Sequence, residues 1–125
     1  MMEFLFSFLI IFQFHYLSFS QPEIKFVKKT IKFEKTVAGE ILHFDFPFIN
    51  QGNEPLIISE VKVTCGCTSP EFPDKPVAPL EKGVIKVNFD TKGKRGYQDR
   101  ILEVLSNAKN SPEKIRFKGV VENKE

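Results

Sequence analysis

Between Ile41 and Asn50 the chain reads Ile-Leu-His-Phe-Asp-Phe-Pro-Phe-Ile-Asn, and this run limits the fold more than any other feature. Successive side chains of an extended strand point to opposite faces. Leu42, Phe44, Phe46 and Phe48 therefore share one face, and His43, Asp45 and Pro47 share the other. The aromatic face is core. Pro47 has no N–H to give to a ladder, so its amide position is unpaired, at an edge or a bulge.

The rest of the chain follows the same period. Ile24–Val27 and Thr30–Phe33 are short alternating pieces, and Val37-Ala38-Gly39-Glu40 is a turn in which Gly39 can take positive φ. After the turn cluster Asn50–Pro55, a strand from Leu56 to Thr64 places Val61, Val63 and Cys65 on one face. Pro70, Pro73, Pro76 and Pro79 then exclude a helix and predict a stiff surface loop from Ser69 onward. Strands follow at Val84–Asp90 (Ile85, Val87 and Phe89 inward), Tyr97–Ser106 and Lys114–Val121. About seven strands with turns every eight to twelve residues or so, and no helical period, predict an all-β, immunoglobulin-like antiparallel sandwich. The buried Trp and inter-sheet disulfide of antibody domains are missing, because the chain has no Trp and both cysteines fall in one strand. Apolar packing must hold the core, with phenylalanine contributing much of it.

At 125 residues the chain has single-domain length, but its apolar residues are unevenly spread. Six of the fourteen phenylalanines precede residue 20, in a run about as long as a secretory h-region. Ser18 and Ser20 place small residues before a cut at Gln21. The start carries Glu3 and no Lys or Arg, which keeps an uncleaved membrane anchor as the alternative. The expected division is a signal peptide or anchor over 1–20 and one sandwich domain over 21–125. The small excess of scattered basic residues, with no Trp and one Tyr after residue 20, gives no nucleic-acid footprint.

Chemical potential is concentrated in Cys65-Gly66-Cys67. An exported chain with an even number of cysteines suggests a disulfide. On an extended strand their Cα atoms would lie roughly 6.6 Å apart, near the upper limit for one, and Gly66 can supply the kink. The three-residue loop would contribute only about 1.6 kcal/mol in the chain-entropy model, against about 3 kcal/mol for fifteen residues. Two further readings stay open: reduced thiols packed on the core, and metal binding through Cys65, Cys67 and His43. A closed zinc site wants four ligands, whereas two thiolates suit Cu(I). By parity Cys65 is expected at the buried strand end, and Cys67, past the glycine, at the loop and nearer solvent. His43 is otherwise a solvated strand residue beside Asp45. The turn Lys92-Gly93-Lys94-Arg95-Gly96 is a solvated hairpin, or an anion site at its amides. No Ser/His/Asp set, paired carboxylates or phosphate loop is present, so neither an enzyme nor a cofactor is expected.

Phe48-Ile49-Asn50-Gln51-Gly52-Asn53-Glu54-Pro55-Leu56-Ile57-Ile58 followed by Cys65-Gly66-Cys67-Thr68 resembles the bacterial domain-of-unknown-function 1573 family. Ala78–Gly83, Val87–Gly93, Ser106-Asn107-Ala108 and Phe117-Lys118-Gly119 fit it too. The resemblance covers nearly all of the chain after residue 20. It implies an immunoglobulin-like module akin to those of surface chaperones and of sperm- and cilium-associated proteins, often exported in Bacteroidetes-type bacteria. Two departures are expected to alter turns: Leu80 where the family usually has Gly, and Phe33-Glu34-Lys35 where it tends to Asp-Phe-Gly. The expected protein is an exported, periplasmic or surface module of unknown molecular task. Its partner would be an envelope or surface protein, with membrane contact only through an uncleaved N-terminus. The alternative is a thiol-disulfide or Cu(I)/Zn-binding protein acting through Cys65 and Cys67.

Overall fold

The computed structural model describes residues 20–123, and the expected signal or anchor lies almost wholly outside them. Two sheets face each other. The first has the order β1 (Ile24–Phe26), β4 (Ile41–Asn50), β7 (Lys82–Asp90), β6 (Thr68–Glu71). The second has the order β2 (Thr30–Lys32), β9 (Glu113–Glu122), β8 (Gly96–Ser106), β5 (Ile58–Lys62), and β3 (Thr36–Val37) also pairs with β9.

This is the all-β sandwich expected, with nine strands among the described residues instead of about seven. The additions are β3, two residues long, and β6, which runs through Pro70. A proline is tolerated there because β6 is an edge strand and its missing N–H points away from β7. The sandwich is also not purely antiparallel: β2 and β3 run parallel to β9. Alternation is blind to strand direction, so this was not legible. Pro47 lies in a central strand, yet Val27 N–H donates to its carbonyl (3.0 Å) where β1 has already ended. Its absent amide faces that same side, so the proline gives up only the reciprocal bond to the Val27 carbonyl, just past the end of β1.

Strand parity places the core as expected over β4 and β7. Phe44, Phe46, Phe48, Ile85, Val87 and Phe89 are buried, and Leu42 is half-buried at the end of its stripe. Aromatic rings join the two sheets. Phe117 of β9 stacks on Phe44 of β4 at 4.8 Å between centroids and meets Phe89 of β7 at 4.9 Å. Phe33 adds a third contact at 5.6 Å from Phe44. Such pairs contribute about 0.5–1.5 kcal/mol beyond the area they bury. On the outer face of the second sheet, a hydrogen bond from Arg116 holds the Asp99 carboxyl below the usual carboxylate range. That pair is partly solvated and contributes little to stability.

The turns are built as the sequence indicates. Gly39 takes φ 104°, and its N–H donates to the Thr91 hydroxyl at 3.0 Å. Thr91 is fully buried, and its hydroxyl donates in turn to the Glu40 carbonyl at 2.5 Å. One side chain thus ties the β3–β4 turn to the β7–β8 turn. In the latter, Gly93 and Gly96 take positive φ and Lys94 N–H closes on the Thr91 carbonyl at 2.9 Å. The basic residues of this hairpin, Lys92 and Arg95 above all, are solvent-exposed.

Candidate functional site

Strand β5 ends at Lys62, and the chain must then cross from the second sheet to the first to begin β6. Val63–Cys67 makes this crossing. With the strand over, parity no longer governs Cys65, and the chain bends at Thr64–Cys65 and turns at Gly66–Cys67. The bend brings the two Cα atoms to 5.2 Å, and the sulfurs are bonded to each other at 1.98 Å. Cys67 N–H donates to Cys65 Sγ at 3.2 Å, and Thr68 N–H donates to the Cys65 carbonyl at 3.1 Å. Asp90 N–H donates to the Cys67 carbonyl at 2.8 Å, which anchors the turn to β7.

The expected ordering of the two cysteines is corrected by this geometry. Both are half-buried, and it is Cys67 that packs against the core cluster. The burial of Val61 shows that the register of β5 itself is right. The error lies in extending its alternation past Lys62.

His43 stands on the outer face of the first sheet, opposite the phenylalanines, and its Nδ1 lies 2.5 Å from Asn88 Oδ1 on β7. A shallow groove of about 580 Å³ runs there past His43, Asp45, Glu71 and Lys86. Among the described residues no group of three or more His, Cys, Asp or Glu is placed to share a metal ion. A bonded cysteine pair also offers no thiolate, so metal chemistry at Cys65 and Cys67 would first require reduction.

Arg100 and Asn50 gain importance that sequence reasoning did not give them, and Leu80, marked there only as a departure from the family pattern, gains a structural reason. Arg100 shares the inward parity of Leu102 and Val104, and its guanidinium carbon sits 5.9 Å from the ring centroid of Phe89. Its Nη2 donates to Gln98 Oε1 at 2.8 Å, while its buried Nε has no partner among the described residues. Alternation along β8 was the available signal, since it puts Arg100 among inward apolar residues. Asn50 continues the inward stripe of Phe44, Phe46 and Phe48 by parity, and it is fully buried. Leu80 is 73% exposed and holds φ at 66°, the left-handed region that glycine tolerates and leucine does not. The departure from the family pattern at this position is therefore a departure in backbone preference.

Among solved structures the sandwich is similar to a protein of unknown function from Porphyromonas gingivalis W83, with TM-score 0.70 and 14% identity. That match covers 86% of this chain and 51% of that one, so the chain spans about half the length of the Porphyromonas protein. It is also similar to the ASH / PapD-like domain 7 of human CEP192, with TM-score 0.65, 13% identity and coverage of 85% and 89%. The YadV chaperone gives TM-score 0.54 at 14% identity, over 82% of this chain and 53% of that one. At such identities the likeness is one of fold, immunoglobulin-like and PapD-like. No curated protein matches the chain. A family model described as "Protein of unknown function (DUF1573)" matches residues 24–121.

Proposed function

The chain belongs to the DUF1573 family, and from that premise we propose that it is an exported bacterial interaction module of the cell envelope, without enzymatic activity. The observation that carries this reading is the β6–β7 connection. It is pinned on either side of Leu80, by the Leu56–Val77 bridge and by Asn50 N–H donating to the Glu81 carbonyl at 3.0 Å. Between those pins it presents an exposed leucine in a conformation that costs about 1–2 kcal/mol for any residue with a Cβ. An apolar side chain kept in water on a strained backbone makes sense as a contact for another protein. The signal-like start supports export, and the fold's kinship with PapD-like domains supports binding as the task.

Leu80→Gly separates the two consequences. It is expected to stabilise the isolated domain by about 0.5–1 kcal/mol in a denaturant melt, the relief of strain being partly offset by glycine's entropy. It is also expected to weaken recovery of whatever protein is crosslinked to the wild type in the envelope. Finding the chain in the envelope with no associated protein, or recovering the same partner equally well with Leu80→Gly, contradicts the proposal. The second reading, a thiol-disulfide protein, is favoured by the bonded pair in a half-exposed turn. Intact mass of the protein as isolated decides it: a gain of two hydrogens on reduction supports that reading, and free thiols without bound metal remove it.

A further inference from the structure

Strand β6 is an edge of the first sheet, and its outer side lacks what a sheet edge normally offers. In an antiparallel pair, residues alternate between bonding the neighbour and facing away from it. Because Asp90 N–H bonds the Cys67 carbonyl, Cys67, Ser69 and Glu71 face β7, while Thr68 and Pro70 turn their backbone groups outward. Pro70 has no N–H. The N–H of Thr68 is spent within the turn, on the Cys65 carbonyl at 3.1 Å. The outward side of β6 therefore carries two carbonyls and no free donor, and it cannot pair as a strand.

We propose that the Cys65–Cys67 disulfide is a redox latch on this edge. The bond closes a ring that includes Gly66, the residue most able to swing the Cys65 carbonyl away. While the ring is closed, that carbonyl stays over the Thr68 N–H. A dithiol reductant opens it in two steps. One thiolate attacks a cysteine sulfur and forms a mixed disulfide; the second thiol of the reductant then displaces the remaining cysteine. Two electrons and two protons pass to Cys65 and Cys67, and the reductant leaves as its own disulfide. With Gly66 free to move, the turn opens more often and the Thr68 N–H becomes the one donor on the edge. The aromatic contacts that join the sheets lie between β4, β7 and β9 and involve neither cysteine, although Cys67 packs at the edge of the core. The inference does not depend on any partner bound at Leu80.

Amide hydrogen exchange of the full chain, followed residue by residue by NMR with and without a dithiol, tests it. The chain-entropy effect of a three-residue loop predicts about 15-fold faster exchange at Thr68 after reduction. Amides of Phe44 and Phe117, which open only with the whole domain, should accelerate by no more than that factor. The variant Cys65→Ala/Cys67→Ala should show the fast Thr68 rate without reductant. An unchanged Thr68 rate in either experiment overturns the latch. So does a greater acceleration at Phe44 and Phe117 than at Thr68, which would make the bond a staple of the whole fold.

Discussion

Replacing Phe46 by alanine is expected to cost about 3–5 kcal/mol, a large part of the roughly 5–15 kcal/mol that holds a domain of this size together. Phe46 is 0% exposed, sits at the middle of β4 and faces Ile85 across the ladder with the same inward parity. Its neighbours on the stripe, Phe44 and Phe48, are themselves held by Phe117 at 4.8 Å and by Phe26 at 5.8 Å. They cannot collapse into the vacated space without giving up those contacts, so most of the cavity would persist. A urea melt reads the loss directly as a lower midpoint at unchanged slope.

Asn50→Ala is expected to cost about 3 kcal/mol or more although it removes no apolar surface. The side chain lies at 0% exposure with its hydrogen-bonding capacity filled. Oδ1 accepts from Gly52 N–H at 3.0 Å and from Glu23 N–H at 3.3 Å. Nδ2 donates to the Glu54 carbonyl at 2.7 Å and the Val77 carbonyl at 3.0 Å. One amide thus fixes the entry to β1, the turn after β4 and the Pro-rich connection. Truncation strands three backbone groups, the N–H of Glu23 and Gly52 and the Glu54 carbonyl, each costing about 1–3 kcal/mol where water cannot reach it, while the Val77 carbonyl keeps the Leu56 N–H at 2.9 Å. Asn50→Asp should not rescue, because a carboxylate keeps the two acceptors but turns an oxygen toward two carbonyls. A urea melt of both variants checks this, and wild-type stability in the aspartate variant would show that the donors to Glu54 and Val77 are dispensable.

The Asn50-Gln51-Gly52 stretch also shows where sequence reading stops. Its turn character was plain from Gly, Asn and Pro, but its buried role was not. Gly52 is required because the N-terminal segment passes over it: a Cβ there would come within 2.2 Å of the Gln21 carbonyl oxygen and 2.6 Å of Pro22 Cα. That contact joins residues about thirty apart, and no local pattern encodes it. Parity along β4 and β7 recovered the core because those strands are long and have one buried face. The same rule failed at Cys65, since hydrophobic alternation does not announce that β5 stops at Lys62. It missed β6 because Thr-Ser-Pro-Glu has neither alternation nor β-formers beyond Thr68; its pairing comes from β7. The parallel course of β2 and β3 follows from the chain changing sheets after β1, a tertiary event. For the candidate site, the two cysteines were visible as a pair. The Thr68 N–H and the Pro70 ring that close the edge were visible only once β6 was known to be an edge.

Aromatic packing between the sheets supports the fold, and the Cys65–Cys67 bond is a local device. Denaturant unfolding of the wild-type chain, oxidised and after dithiol reduction, tests that division most directly. Reduction should lower stability by no more than about 1.6 kcal/mol, the chain-entropy limit of a three-residue loop, well short of the loss expected from Phe46→Ala. A reduced protein that unfolds as readily as Phe46→Ala, or fails to fold, would contradict it.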